Sequence, residues 1–229
     1  MNRRLLVVLS LAVISAVAST GCAGAKILTN PATTFPLPVD PLKPAFLFPV
    51  NLGHLGSGGD PLAMGLVVSG GVANKFGKTV ISGQQLFDLV GNLSFELAEA
   101  IQSQAHTGKW VMDGSAARVA DDLAKLMAQI VKKLVDLKVL DQPITFKYII
   151  AVHSHGSSTM GGSVLGVESW GGIYDTETRE ITAYIETKDN LANKPEAVLA
   201  ALPSTYNGII SKLLAGTVDA PKEKEEEKK

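Results

Sequence analysis

The chain has 229 residues, enough for one sizeable hydrophobic core. Its composition, 46% hydrophobic and 19% charged, is that of a folded protein, and a formal net charge of −1 with 6% aromatics excludes the basic stripe or stacking surface that nucleic-acid binding requires.

The first element is a leader. Arg3 and Arg4 precede Leu5 to Ala18, a run without a charge and too short for a comfortable membrane span, so residues 1–21 read as a secretory signal. No later stretch approaches the ~18 uncharged apolar residues of a membrane helix. Cys22 is the only cysteine, which excludes a disulfide framework and any cysteine-based metal site. It closes the sequence Ser19-Thr20-Gly21-Cys22, which resembles the lipobox of bacterial lipoproteins, with Ser19 where Leu or Val is commoner. The resemblance implies that the Cys22 sulfur carries a diacylglyceryl group and forms the mature N-terminus. The competing reading is cleavage after Ala18, which leaves an unpaired thiol in an oxidising compartment. Ala23, rather than an acidic residue, follows the cysteine, and by analogy this implies the outer membrane, with the protein facing the periplasm.

Residues 22–44 carry Pro31, Pro36, Pro38, Pro41 and Pro44 and are expected to form an extended tether. Residues 45–216 are expected to form an α/β domain. Ala45 to Val50 reads as a strand, and Pro61 opens a helix capped by Asp60 that carries Leu62, Leu66 and Val67 and stops near Phe76-Gly77. Thr79 to Ser82 is a second strand. Gln85 to Ala105 places Leu86, Leu89, Leu93, Leu97 and Ile101 on one helical stripe. A longer helix, Ser115 to Leu137, repeats Val119, Leu123, Leu126, Ile130, Leu134 and Leu137 with charges on its other side, and its apolar face is expected to lie on a sheet. Thr145 to His153 is a hydrophobic run that reads as a central strand buried on both faces. A flexible connection, Ser157 to Gly162, leads to two strands, Val164 to Tyr174 and Glu180 to Thr187, joined by the turn Asp175 to Arg179. A last helix opens near Pro195 and is interrupted at Pro203 before running on to Gly216. Residues 217–229 end in an unbroken Lys/Glu run and read as a solvated tail. The expected order is β-α-β-α-α-β-β-β-α, a mixed sheet layered with helices.

Two stretches carry a second resemblance. Ile150-Ala151-Val152 is followed by Gly156, and Ile173-Tyr174-Asp175-Thr176-Glu177-Thr178-Arg179-Glu180-Ile181 forms a strand–turn–strand, with Arg179 where a glycine is usual. Across residues 45–215 this layout resembles the TolB-N-terminal-like, or anticodon-binding-like, α/β domain of periplasmic lipoproteins. That group includes accessory lipoproteins of curli and exopolysaccharide secretion, flagellar outer-ring components and activators of cell-wall synthases. The resemblance implies binding to envelope proteins, or self-association into a ring, without catalysis and without a cofactor.

Four places bear on chemistry. His153 and His155 are two apart on a strand and so share a face, as two ligands of one metal would, which is the basis of a rival reading as a metal-dependent hydrolase. Asp175, Glu168 and His54 are the candidates for a third ligand. Ser157 and Ser158 beside His155 lack the Gly-x-Ser-x-Gly elbow of a nucleophile. Gly53 to Gly59 is a glycine-rich loop, but Asp60 opposes a phosphate there and no Gly-Lys-Ser/Thr follows. Trp170-Gly171-Gly172 is either core or an interface anchor, tryptophan being enriched in interface hot spots. A third reading, a glycan- or small-ligand-binding lipoprotein, requires a concave apolar pocket.

Overall fold

The computed structural model describes residues 25–50, 52, 61–158, 164–189 and 195–216. Six strands form one mixed sheet: β1 (Lys26–Thr29), β2 (Ala45–Leu47), β3 (Val80–Ser82), β4 (Tyr148–Ser158), β5 (Val164–Asp175) and β6 (Glu180–Asp189). Among the described residues four α-helices accompany them: α1 (Pro61–Phe76), α2 (Phe87–His106), α3 (Gly114–Asp136) and α4 (Pro195–Ala215). The strand order is β1-β6-β5-β4-β2-β3. β2 is parallel to β3 and β4, and the remaining pairs are antiparallel. The α/β class and the layered mixed sheet agree with the sequence, with one strand added in front.

That added strand corrects the tether. Residues 26–29 pair with β6, Lys26 opposite Glu186 and Thr29 opposite Ala183. Asn30 continues the attachment: its amide N–H donates to the Thr182 carbonyl at 2.9 Å and its side chain to the Ile181 carbonyl at 3.1 Å. Leu37 is buried, and its N–H donates to the Leu214 carbonyl at the end of α4. Proline content alone reads as extended spacer. Here the prolines lie in a segment whose apolar residues find partners on the sheet edge and on α4.

β4 lies between β5 and β2 and begins with a uniformly apolar run. Tyr148, Ile149, Ile150, Ala151 and Val152 are all buried, alternate residues entering opposite layers. Tyr148, Ile150 and Val152 join Val68 and Val72 of α1 and Tyr206, Ile209, Ile210 and Leu213 of α4. Ile149 and Ala151 join Leu93, Leu97 and Ile101 of α2 and Leu123, Ile130 and Leu134 of α3. The first layer also encloses three hydroxyls: the Ser154 Oγ lies 2.7 Å from both the Ser169 Oγ and the Tyr206 OH. Of the expected stripe of α3, Val119, Leu123, Ile130 and Leu134 are buried, Leu126 is half-buried, and Leu137 is exposed beyond the last turn. Its main neighbour is α2 rather than the sheet, so α2 forms the direct cover and α3 packs beside it.

Three further expectations change. The apolar residues assigned to the face of α1 point outward: Leu62, Leu66 and Val67 are 45%, 50% and 66% exposed, while Val68 and Val72 fill the core. Pro203 sits inside α4 without ending it, and Gly216, with φ +63°, terminates the helix in the left-handed conformation that glycine adopts readily. β4 runs on through Ser157 and Ser158, still paired with β5 across a register shift between the two, where a flexible connection was expected to have begun. The cap expected at Asp60 and the loop 53–59 lie outside the described residues.

Gly171 and Gly172 set how closely the layers approach. A Cβ on Gly171 would stand 2.1 Å from the Ala151 carbonyl oxygen, and one on Gly172 would stand 2.3 Å from that of Ala183 and 2.7 Å from the Ile101 side chain. The clash is with backbone on the neighbouring strands, so no rotamer relieves it. Gly172→Ala is therefore expected to cost about 1–3 kcal/mol of stability, the usual penalty for overpacking, measured as a lowered midpoint in urea with an unchanged slope.

Candidate functional site

The outer flank of α3 forms an open concave surface. α3 is strongly amphipathic, and its apolar sector is wider than its contact with α2. Ala116, Val119, Ala120, Leu123, Ile130 and Leu134 are consumed by packing, while Met127, Val131 and Val135 remain half-buried beside them. The chain then returns through Pro143, Ile144 and Thr145 towards β4, leaving an open groove of about 610 Å³ between this return and the helix. Lys132 and Asp136, one turn apart and 2.6 Å from each other, stand on its rim.

The groove continues in both directions. At one end Ala124 and Met127 also line a hollow of about 320 Å³ with Leu123, Tyr174, Thr176 and Arg179. There Arg179 pairs with Asp121 of α3, and burial pushes the Tyr174 hydroxyl above its ordinary pKa against the lowering effect of Arg179, so it remains a neutral phenol. At the other end Ile144 is shared with a hollow of about 260 Å³ that includes Leu42, Ile81, Val139 and Leu140, beside the edge strand β3. Leu42 is 81% exposed there. Thioether and branched aliphatic groups line the middle, with polar groups confined to rim and ends. This arrangement binds an apolar segment by contact, and the methionine lets it adapt to shape.

The residues singled out in the sequence lie elsewhere. His153 is buried by stacking: its ring meets Phe95 of α2 edge-on at 4.8 Å and Trp170, directly opposite on β5, at 4.7 Å. His155 is exposed and sits opposite Glu168, whose carboxylate is 3.0 Å from Lys188. Asp175 stands at the far end of β5, opposite Tyr148, and its carboxylate accepts the amide N–H of Glu177 at 2.8 Å and of Thr178 at 3.2 Å. It is a turn residue, five positions from Trp170 and therefore about 17 Å away along the strand. His54 lies outside the described residues. Among the described residues no group of three or more His, Cys, Asp or Glu is placed to hold a metal ion: Asp175 stands away from the histidine pair, and Glu168, opposite His155, is engaged by Lys188.

Trp170 is half-buried against the α2 layer, and its indole N–H is enclosed without an acceptor. Gly171 and Gly172 are buried inside the sheet, where they serve strand and helix approach, which is the core alternative of the two for this stretch. Beside Trp170, Glu186 gathers the Tyr184 hydroxyl at 2.9 Å, the His106 Nε2 at 3.1 Å and the Lys26 ammonium at 3.6 Å. This carboxylate ties β1 to β6 and α2. Cys22 lies outside the described residues.

No family model matches the chain, and no curated protein matches it. Two solved structures share its layout in part. A PelC dodecamer from Paraburkholderia phytofirmans aligns with a TM-score of 0.37 and 7% identity, covering 81% of this chain and 96% of that one. A single-residue variant of the same dodecamer gives 0.36 and 6%, covering 82% and 98%. Likeness of this degree carries no functional weight.

Burial raises the carboxyl pKa of Glu186, but the Tyr184 and His106 hydrogen bonds and the Lys26 charge outweigh it, and the net direction is downward. A carboxyl lowered in the folded state stabilises the fold above its unfolded pKa of about 4.3, and that contribution disappears as pH falls through the folded value. Glu186→Gln is therefore expected to be less stable than the parent at pH 7 and to converge with it in acid, as read from urea midpoints across the range. His153→Phe, which preserves the aromatic stack, is expected to melt within a few degrees of the parent, checked by circular dichroism.

Proposed function

We propose that the protein is a lipid-anchored, periplasm-facing assembly protein of the outer membrane whose work is binding: it holds a protein partner, or another copy of itself, in an envelope complex. The observation that carries this reading is the continuous apolar groove along α3. Groups capable of acid–base or nucleophilic work are not concentrated there. Met127, Val131, Val135 and Ile144 are, and they leave branched and thioether surface to water on a helix otherwise covered with charge. Surface of that kind is kept where something covers it. An amphipathic helix or an extended apolar segment laid along α3 would bury those side chains and meet the Lys132–Asp136 pair at the rim.

The lipobox-like sequence before Cys22 supports the anchor, since several acyl chains on one residue hold a protein to a bilayer stably. Among the described residues no helix is long and apolar enough to cross a membrane, which leaves the lipid as the means of attachment in this reading. The TolB-N-terminal-like layout supports binding over catalysis.

Cys22→Ser is expected to move the protein from the membrane to the soluble fraction of cells, and persistence in the membrane would remove the anchor from this account. A photo-reactive residue in place of Lys132, at the groove rim, is expected to give a cross-linked product of discrete mass in intact cells. Adding Val131→Lys should abolish that product while the fold is retained by circular dichroism. A product unchanged by Val131→Lys would show that the groove is not the contact.

A further inference from the structure

The two helical layers differ in charge. Along the outer side of α3 stand Arg118, Asp121, Asp122, Lys125, Lys132 and Asp136, several of them in ion pairs. α1 has no charged residue from Pro61 to Asn74. Its exposed positions include Leu62, Ala63, Leu66, Val67 and Gly70, with Val67 66% and Leu66 50% exposed. Water therefore meets a helix face with neither charge nor long polar side chains, and the most apolar part of that face is its N-terminal half.

The sheet register places this half-helix relative to the chain's N-terminus. Lys26 pairs with Glu186, Glu186 with Trp170, and Trp170 with His153, so these four lie in one row across the sheet. Leu47 is opposite Ile150, and Val50 follows three residues further along, just past the end of β2 and towards the level of His153. Gly65 abuts Val50: a Cβ there would lie 2.8 Å from the Val50 carbonyl oxygen. Gly65 and its neighbour Leu66 thus stand near the same level as Lys26, on the other side of the sheet's width, and Leu62 lies one helical turn away. Only three residues separate Cys22 from Lys26, four Cα-to-Cα steps with a reach of at most about 14 Å. With β1 paired to β6, no long spacer holds the domain off whatever Cys22 is attached to.

We propose that the uncharged N-terminal half of α1, with Leu62, Ala63, Leu66 and Val67 outward, rests on the lipid surface that Cys22 enters. This rests on the anchor reading above. The short link between Cys22 and β1 keeps the domain at the bilayer, and the covalent attachment keeps the local concentration of lipid high, so a small apolar face suffices. A second copy is the less fitting occupant, because a few half-exposed side chains fall far short of the ~800 Å² per partner of a stable protein interface. The absence of basic residues on the face fits insertion of apolar side chains rather than attraction to anionic headgroups.

The single cysteine makes the test direct. In the full acylated protein Cys22 has no free thiol, so Leu66→Cys, or Val67→Cys as a second variant, supplies one for an environment-sensitive fluorophore. Lys125→Cys on the charged layer is the control. Each is reconstituted into phosphatidylethanolamine–phosphatidylglycerol vesicles with and without a lipid-borne quencher. The expected result is blue-shifted emission, most of it quenched, at positions 66 and 67, with neither effect at 125. Flotation with the vesicles but no quenching at 66 and 67 overturns the lipid-docked face and leaves the anchor standing. Failure to float overturns both. A blue shift that appears without vesicles and grows with protein concentration assigns the face to a second copy and overturns the proposal.

Discussion

The close approach of α2 to the β4–β5–β6 ladder is the constraint on which the rest of the structure depends. It exists because Gly171 and Gly172 bring no side chain to the middle of β5, and the space they leave is filled by the Ala151 and Ala183 backbone and by Ile101. Any larger residue there would separate the strands or lift the helix, and the cover over Ile149 and Ala151 would open. Once α2 lies that close, it occupies the centre of its layer. α3 is then displaced to its flank, where part of its apolar sector has no neighbour. The groove is thus tied to the glycine pair, about 45 residues away in sequence from Met127.

The other layer is built on a different compromise. α1 and α4 close over Tyr148, Ile150 and Val152, and the hydroxyls of Ser154, Ser169 and Tyr206 satisfy one another within it. A network of this kind is costly to bury unless fully paired, and its mutual satisfaction fixes the seat of α4 on β4 and β5. Burial raises the pKa of the Tyr206 phenol far enough that it stays neutral as a hydrogen-bonding group. At the far side of the sheet Glu186 fastens β1, so the strand nearest to Cys22 is held by charge and hydrogen bonds as well as by the ladder. The two layers then present different outer faces: one charged and grooved, one neutral and apolar at one end. The anchored, partner-binding role proposed above would use two such faces.

What could be read in the residues was what local periodicity and composition determine. The stripes of α2 and α3 follow from a 3.6-residue repeat that is independent of any neighbour. The burial of β4 on both faces follows from an unbroken run of β-formers, and the Asp175 turn from a side chain that caps its own backbone. A mixed sheet covered by helices was implied by their order. The lipobox-like sequence around Cys22 is likewise a purely local signal.

Tertiary structure decided the rest, because the deciding partners are distant in sequence. Lys26 to Thr29 is too short to be read as a strand and becomes one only through pairing with β6, about 155 residues later. Whether Leu66 or Val68 faces inward on α1 depends on which side meets the sheet, and α1 is apolar nearly all round, so no periodicity could choose. Spacing alone makes His153 and His155 possible co-ligands, and only the tertiary structure puts Trp170 opposite His153 and Phe95 over it. The groove had no signature at all: Met127, Ile144 and Tyr174 meet only because α3 lies beside α2 instead of on the sheet, and concavity is a property of packed surfaces rather than of any segment.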